Sequence, residues 1–151
     1  MKNLVVLFSD SKLEYSDKEL FRNTSCKEFV LQWAFSVKDF AFLSIYVSSE
    51  KDKKTFLDLI EKIDYHKKNS VNIIVKDEWK VADLMNQIKI DSANFDNIVF
   101  GWADSPFYNT ELTNKLLDLH TESMAEYCFA DGYPAGLGPE ILHPGTVNIL
   151  D

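Results

Sequence analysis

Short apolar runs alternate with longer amphipathic stretches along the whole chain of 151 residues. The first run, residues 4–8, is apolar at every position, which is typical of a parallel strand that helices cover on both faces. A later stretch opens with a capping box of Ser25 and Glu28 and then carries Phe29 and Trp33 at helical spacing. This order predicts an α/β fold. The predicted strands are 4–8, 42–47, 71–75, 98–102 and 125–130, and the predicted helices are 25–37, 53–67, 78–88, 110–121 and 145–150.

Composition limits the chain to one globular domain and excludes some partners. Apolar residues make up 46 % of the sequence, which is enough for a core, and the length is typical of one domain, residues 1–151. The net charge of −8 comes without a Lys/Arg stripe, so we expect no nucleic-acid partner. No apolar run approaches 18 residues, so we expect no membrane partner. Cys26 and Cys128 lack paired spacing, which indicates two buried thiols in a cytoplasmic protein.

Glycine is distributed unevenly, and this distribution indicates where a site can lie. All five glycines and all four prolines lie after residue 100. The loop after the first predicted strand, residues 9–18, therefore cannot be a GxGxxG or P-loop, since both need a residue without Cβ where the backbone meets a phosphate. The special backbone geometry is concentrated around Asp104 and in residues 133–140. We expect any site to lie there.

These two late segments carry a resemblance to a known family. The first is an apolar run that ends in Asp104-Ser105-Pro106, and the second, residues 130–142, reads ADGYPAGLGPEIL. Together they resemble the cytidylyltransferases of acidic-sugar and spore-coat polysaccharide synthesis, in which a GDxP turn is followed by a helix, a strand and a YPxGLxxE loop. The resemblance covers residues 95–142. It implies a nucleotide-diphospho-sugar transferase-like fold, a three-layer αβα domain with a mostly parallel sheet, truncated at the C-terminal side.

The resemblance also implies roles for five residues, each of which has a structural alternative. Asp104 would bind Mg²⁺, or else cap its own turn. Asp131, Tyr133, Gly136 and Glu140 would shape the substrate pocket. Alternatively, Gly136 supplies a positive φ to a tight loop, and Glu140 is a carboxylate at a helix start after a proline. A paired-carboxylate acid/base site of Asp104 and Glu140 is a further possibility that spacing alone leaves open.

The loop after the first strand departs from the family pattern, ARxGSxRLPxK. Its remaining cations, Lys12 and Lys18, are the candidates for nucleotide binding. Asp10, Glu14 and Asp17 largely offset them. Because a triphosphate carries about four negative charges and needs convergent cations or backbone donors, we expect weak phosphate binding.

We therefore expect a degenerate, non-catalytic or weakly active module that binds a nucleotide, a nucleotide sugar or a partner. The loop together with the intact second segment resembles the N-terminal region of spiro-SPASM proteins. This resemblance implies a fused C-terminal radical SAM region, so that the chain is a fragment of a longer polypeptide. The alternatives are an active Mg²⁺-dependent cytidylyltransferase or glycosyltransferase, and a purely structural or dimerising module.

The remaining candidate residues have structural interpretations. His66 lies near a helix end and is expected at the surface, and His120 is expected to be a hydrogen-bonded core residue. His143 follows the second segment and is the histidine that we would test. The aromatic residues of the first predicted helix and the neighbouring segments are expected in the core: Phe21, Phe29, Trp33, Phe35 and Phe40.

Overall fold

A computed structural model describes residues 1–10 and 14–149. The strands are β1 (Asn3–Ser9), β2 (Glu19–Phe21), β3 (Thr24–Ser25), β4 (Phe40–Val47), β5 (Val71–Val75), β6 (Asn97–Trp102), β7 (Tyr127–Cys128) and β8 (Glu140–Leu142). The helices are α1 (Cys26–Ser36), α2 (Glu50–Asp64), α3 (Val81–Ser92), α4 (Thr110–Glu122) and α5 (Pro144–Val147). Two 3₁₀ turns, Glu14–Asp17 and Tyr65–Ser70, precede β2 and β5.

Six of the strands form one mixed sheet in the order β5-β4-β1-β6-β8-β7. The central strand β1 is parallel to β4 and to β6, and β5 is parallel to β4. β8 pairs antiparallel with β6, and β7 pairs antiparallel with β8. β2 and β3 form a separate hairpin. The mostly parallel sheet confirms the predicted fold class.

Helices cover both faces of the sheet. Val5 and Leu7 of β1 pack into a cluster with residues of α1, α2 and α4, whereas Leu4 and Val6 pack into a second cluster with Ile88 of α3 and a residue of α5. Successive residues of a strand point to opposite faces, so a run that is apolar throughout needs cover on both. The continuous apolar sequence of β1 therefore specifies the three-layer architecture.

The element boundaries were predicted well where a cap is local. The Ser25 side chain accepts from the backbone N–H of Glu28 at 3.2 Å, so Ser25 caps α1 as predicted. The Glu28 carboxylate pairs with Lys62 at 3.0 Å. α2 begins at Glu50 rather than 53, because Ser49 Oγ accepts from the N–H of Asp52 at 3.1 Å. α3 begins at Val81 rather than 78.

The predictions were least accurate in the last quarter of the chain. The strand predicted at 125–130 contains only Tyr127–Cys128, and the strand Glu140–Leu142 was not predicted. The helix-start interpretation of Glu140 is therefore wrong, and α5 instead begins at Pro144 with His143 as its cap. β8 is only three residues long, and its partner β6 is distant in sequence, so no local pattern identifies it.

Two expectations about side-chain burial also need correction. Phe21 is 57 % exposed on the β2–β3 hairpin, where it contacts Phe29 and Phe107 rather than the core. Both cysteines are free thiols, but only Cys26 is buried, and Cys128 is half-buried. Within the part of the chain that the structure describes, no helix combines the length and apolarity that crossing a bilayer requires.

Candidate functional site

The turn after β6 lies at the carboxyl edge of the sheet. The backbone N–H of Ala103 donates to the carbonyl of Phe8 in β1 at 2.9 Å, and that of Ser105 donates to Trp102 at 3.3 Å. These two bonds fix the turn beside the end of the central strand. Asp104 is therefore held where open α/β sheets place their ligands.

The loop between β7 and β8 packs against this turn. Gly136 has φ +83°, and a Cβ at this position would lie 3.3 Å from the hydroxyl oxygen of Ser105. The N–H of Asn109 donates to the carbonyl of Leu137 at 2.9 Å. The positive φ agrees with the tight-loop interpretation of Gly136, since L side chains rarely adopt it. The two segments singled out in the sequence are thus in direct contact.

A cavity of about 670 Å³ lies between these segments. Asp104, Asp131, Tyr133, Gly136 and Glu140 all line it. Its volume is within the range of small-molecule sites, roughly 300–1,000 Å³. The structure therefore brings five of the seven predicted site residues to one place, and their individual roles remain predictions.

Aromatic side chains form much of the cavity wall. The rings of Tyr127 and Phe129 are stacked, with centroids 5.7 Å apart, and Trp102 and Tyr133 also line the cavity. These four side chains are between 44 % and 55 % exposed. Tyr133 was predicted as a site residue, whereas Tyr127 and Phe129 were missed because they were assigned to a strand over 125–130, and the actual edge strand ends at Cys128.

The described lining of the cavity is acidic. None of its lining residues in the described part of the chain is Lys, Arg or His, whereas three are Asp or Glu. Burial raises the pKa of Tyr108, and the charges of Asp104 and Glu140 raise it further. The backbone N–H of Trp102 donates to the Tyr108 hydroxyl at 2.8 Å and opposes this shift. The pKa of Tyr127 is raised by burial and then by Glu140. An anionic ligand would meet like charge here.

Cys26 contacts the turn after β6 and is not suited to nucleophilic chemistry. Its thiol donates to the carbonyl of Ala103 at 3.5 Å. Burial, followed by the charge of Asp104, raises its pKa to about 11, although Lys27 partly opposes this. At neutral pH the group is a thiol rather than the reactive thiolate.

Of the two predicted nucleotide-binding lysines, only Lys18 is described. Lys18 is exposed and does not line the cavity, and Lys12 lies outside the described residues. A different lysine, Lys27, is buried near this edge, with its Nζ 2.5 Å from Asp17 and 2.8 Å from Asp52. Sequence reasoning missed this cluster because its acidic partners lie 10 and 25 residues away. Asp17, near the end of the acidic loop after β1, is therefore held by an ion pair with Lys27 of α1.

The described residues allow only a simple metal site. Across 1–10 and 14–149, no three His, Cys, Asp or Glu side chains are placed to hold one ion together. Mg²⁺ commonly uses one or two carboxylates, several waters and the phosphates of a substrate. Asp104, half-buried at the cavity, fits that mode as a single hard oxygen ligand.

His120 is buried as expected, but its hydrogen bonding was predicted wrongly. It is 2 % exposed, and neither ring nitrogen has a hydrogen-bond partner within the described part of the chain. It lines a second cavity of about 440 Å³ with His143, whose Nδ1 accepts from the N–H of Gly145 at 3.0 Å. Burial, with His143 contributing, lowers the pKa of His120.

Comparison with known proteins shows a shared fold. No protein-family model matches the chain. An uncharacterized protein of Treponema pallidum (strain Nichols) is 46 % identical over 48 residues, which are 32 % of this chain and 22 % of that protein. A cytidylyltransferase from Leptospira borgpetersenii serovar Hardjo-bovis superposes with a TM-score of 0.73 at 19 % identity, covering 100 % of this chain and 64 % of that one.

Two further solved structures have the same architecture. The 4-diphosphocytidyl-2C-methyl-D-erythritol synthase from Anaerococcus prevotii DSM 20548 gives a TM-score of 0.69 at 11 % identity, covering 95 % of this chain and 71 % of that one. The CMP:2-keto-3-deoxy-manno-octonic acid synthetase in complex with CTP gives 0.68 at 10 % identity, covering 99 % and 77 %. The chain has a nucleotidyltransferase-like fold. It spans less than two thirds of the Leptospira enzyme and of the Treponema protein.

Proposed function

We propose that this chain is a non-catalytic or weakly active nucleotidyltransferase-like domain. It binds the sugar part of a nucleotide sugar, or a similar small polar molecule, in the cavity between the turn after β6 and the β7–β8 loop. Its two unpaired cysteines suit the reducing environment of the cytoplasm.

One observation carries the proposal: the predicted substrate residues converge on a cavity whose described lining contains no cation. Hydroxyl groups of a sugar can donate to Asp131 and Glu140, and its apolar ring face can pack on Tyr133. Among the described residues, no lysine or arginine lines the same cavity to bind a triphosphate. The buried Lys27 is already paired with two carboxylates.

A thermal-shift titration with sugars, nucleotide sugars, CTP and UTP, each with and without Mg²⁺, tests this proposal. A ligand present at 100 times its Kd stabilises the folded state by about 2.7 kcal/mol. For a domain of this size that free energy raises Tm by about 5–11 °C. A Mg²⁺-independent shift with nucleotide sugars but not with CTP supports the binding domain, and no shift with any sugar-containing ligand contradicts it.

The second candidate is an active Mg²⁺-dependent cytidylyltransferase. It is favoured by the placement of Asp104 directly after β6, within the cavity, where a metal could bridge a carboxylate and phosphate oxygens. A Mg²⁺-dependent shift with CTP that Asp104→Asn removes would support this activity. The same shift in Asp104→Asn as in the wild type would exclude this role for Asp104.

We also propose that the domain serves a larger radical SAM enzyme with a SPASM region, as the resemblance of residues 130–142 implies. Mass spectrometry of the native polypeptide, together with iron and sulfide analysis, tests this. Iron–sulfur clusters on the polypeptide that contains this sequence support the proposal. A native polypeptide of 17.4 kDa without iron contradicts it.

A further inference from the structure

The second cavity lies at the opposite end of β6 from the first. Asn97, the first residue of β6, lines it together with Thr121 in the last turn of α4 and His143 after β8. Asp104, which lines the first cavity, follows the other end of β6. The volume of the second cavity, about 440 Å³, is also in the range of small-molecule sites, roughly 300–1,000 Å³. The proposed function gives this cavity no role.

A buried histidine without a partner lines this cavity. His120 is 2 % exposed, and neither of its ring nitrogens has a hydrogen-bond partner among residues 1–10 and 14–149. Buried polar atoms in folded proteins are nearly always hydrogen-bonded, so two such nitrogens beside a cavity indicate that a ligand or ordered water completes them. Burial lowers the pKa of His120, so at neutral pH the ring is uncharged and offers one N–H donor and one acceptor.

The tautomer of His143 is set by the helix that it caps. Its Nδ1 accepts from the backbone N–H of Gly145 at 3.0 Å, so in the neutral ring the proton lies on Nε2. Nε2 is then a hydrogen-bond donor and has no lone pair for a metal ion. Across the described ranges, moreover, no three His, Cys, Asp or Glu side chains are placed to hold one ion. The two histidines therefore favour a hydrogen-bonding ligand over a metal ion.

The surroundings of the two histidines favour an uncharged ligand. Glu126 lines the cavity, and so does the last turn of α4, where the helix dipole is negative, so an anion is disfavoured. An ammonium group only donates, and it would leave the N–H groups of His120 and His143 without an acceptor. The Thr121 hydroxyl donates to the sulfur of Met1 at 3.6 Å, so its oxygen can still accept. The cavity thus offers both donors and an acceptor to an uncharged group.

Met124 adds an apolar surface to the cavity. Its side chain is 89 % exposed and lines the cavity, and its φ is +49°. The position directly after a helix usually carries glycine or asparagine when φ is positive, so a methionine here is unusual. Because the methionine side chain is flexible and polarizable, it can contact ligands of different shapes. The ligand can therefore carry an apolar part beside its polar group.

We propose that this second cavity binds an uncharged amide group on a small ligand. The amide oxygen accepts from the N–H groups of His120 and His143, and the amide N–H donates to the Thr121 hydroxyl. The apolar part of the ligand lies against Met124. The inference does not depend on the proposed function, because the described linings of the two cavities share no residue.

An NMR titration of the ¹⁵N-labelled protein at neutral pH with benzamide, benzoate and benzylammonium tests the proposal. The three probes share a phenyl ring and differ in charge. We expect benzamide to bind about tenfold more tightly than either charged probe, because each charged probe leaves hydrogen-bonding groups of the site unpaired. The amide signals of Thr121 and Met124 should move, whereas that of Tyr133 in the first cavity should not.

Several outcomes would overturn the proposal. Tighter binding of benzoate would show an anion site, and tighter binding of Zn²⁺ in a zinc chloride titration would show a metal site. Changes confined to Tyr133 would place benzamide in the first cavity. No binding of any probe would mean that water alone fills the second cavity. Nucleotide sugars should instead move the Tyr133 signal, so a failure here is distinguishable from a failure of the proposed function.

Variants then assign the binding to the two histidines. His143→Ser keeps an oxygen that can cap α5 but removes the distant N–H donor, so it should weaken benzamide binding several-fold. His120→Phe keeps a ring at the buried position and should also weaken binding; if it fails to fold, His143→Ser, at an exposed position, still decides. The matched control His66→Ser removes an exposed histidine that lines neither cavity and should change nothing. Equal effects of His66→Ser and His143→Ser would overturn the assignment.

Discussion

Lys27→Met tests whether the acidic loop after β1 is held by a buried ion cluster. The Nζ of Lys27 lies 2.5 Å from Asp17 and 2.8 Å from Asp52, and the Lys27 and Asp52 side chains are only 2 % and 6 % exposed. Removing the cation leaves the Asp52 carboxylate buried without a countercharge. Breaking a buried pair in this way costs about 3–5 kcal/mol. The Asp17 side chain is 37 % exposed, so its hydration places the expected loss in the lower half of that range.

Urea unfolding at neutral pH measures this loss of unfolding free energy. The midpoint concentration of urea should fall while the dependence of the free energy on urea concentration stays the same. Thermal unfolding should show a decrease in Tm of about 6–16 °C. The matched control is Lys38→Met, which removes an exposed pair with Asp118, whose side chains are 48 % and 52 % exposed. Surface pairs of this kind contribute little or nothing measurable, so the control should unfold like the wild type.

A double variant separates charge from packing. Asp52→Asn in the Lys27→Met background removes the uncompensated charge and should recover part of the lost stability. If Lys27→Met destabilises the domain no more than Lys38→Met does, the cluster does not exist in solution and the loop has another anchor. If the double variant recovers nothing, the loss arises from packing of the lysine stem rather than from the buried carboxylate.

Three other predictions follow from single contacts. Gly136→Ala should lower the free energy of unfolding by more than Gly132→Ala, because both residues have positive φ but only Gly136 lies against Ser105. Urea midpoints of the two variants measure the difference, and equal losses would contradict the contact with Ser105. The pKa of His120 is lower in the folded state than in the unfolded state, so below about pH 6.5 the protein takes up a proton when it unfolds. The free energy of unfolding should therefore fall as the pH decreases from 6.5. Urea midpoints measured against pH should show this fall in the wild type and a flatter dependence in His120→Phe. Cys26, with its pKa of about 11, should react with iodoacetamide at pH 8 much more slowly than the half-buried Cys128. Peptide mass spectrometry measures the two rates, and equal rates would contradict the burial of the Cys26 thiol.

Sequence reasoning predicted the elements whose signals are local. The apolar run of β1, the N-cap Ser25 and the run Val71–Val75 each contain their own evidence, and the structure confirms all three. β8 fails this condition, because Glu140–Leu142 becomes a strand through pairing with β6, some forty residues earlier in the chain, and with the two-residue strand β7. Tertiary pairing decides the state of such short segments.

The site was predicted in position but not in character. The unusual glycines and prolines of two segments indicated where the backbone would turn, and those segments do meet. The charge and shape of the cavity depend on which side chains face it, and the exposure of Phe129 follows from where the edge strand β7 ends. The unpartnered ring of His120 has the same origin, since spacing predicts burial but not the presence of a partner.

Fold and ligand class are set by different parts of this chain. The parallel strands β1 and β6 end beside each other through backbone hydrogen bonds, and this arrangement creates a ligand-sized space whatever side chains surround it. The charge in that space depends on a few side chains, of which the described lining includes Asp104, Asp131 and Glu140. A nucleotidyltransferase-like sheet can therefore be retained while the side chains that face its ligand space change, because the backbone hydrogen bonds that hold the fold do not depend on those side chains.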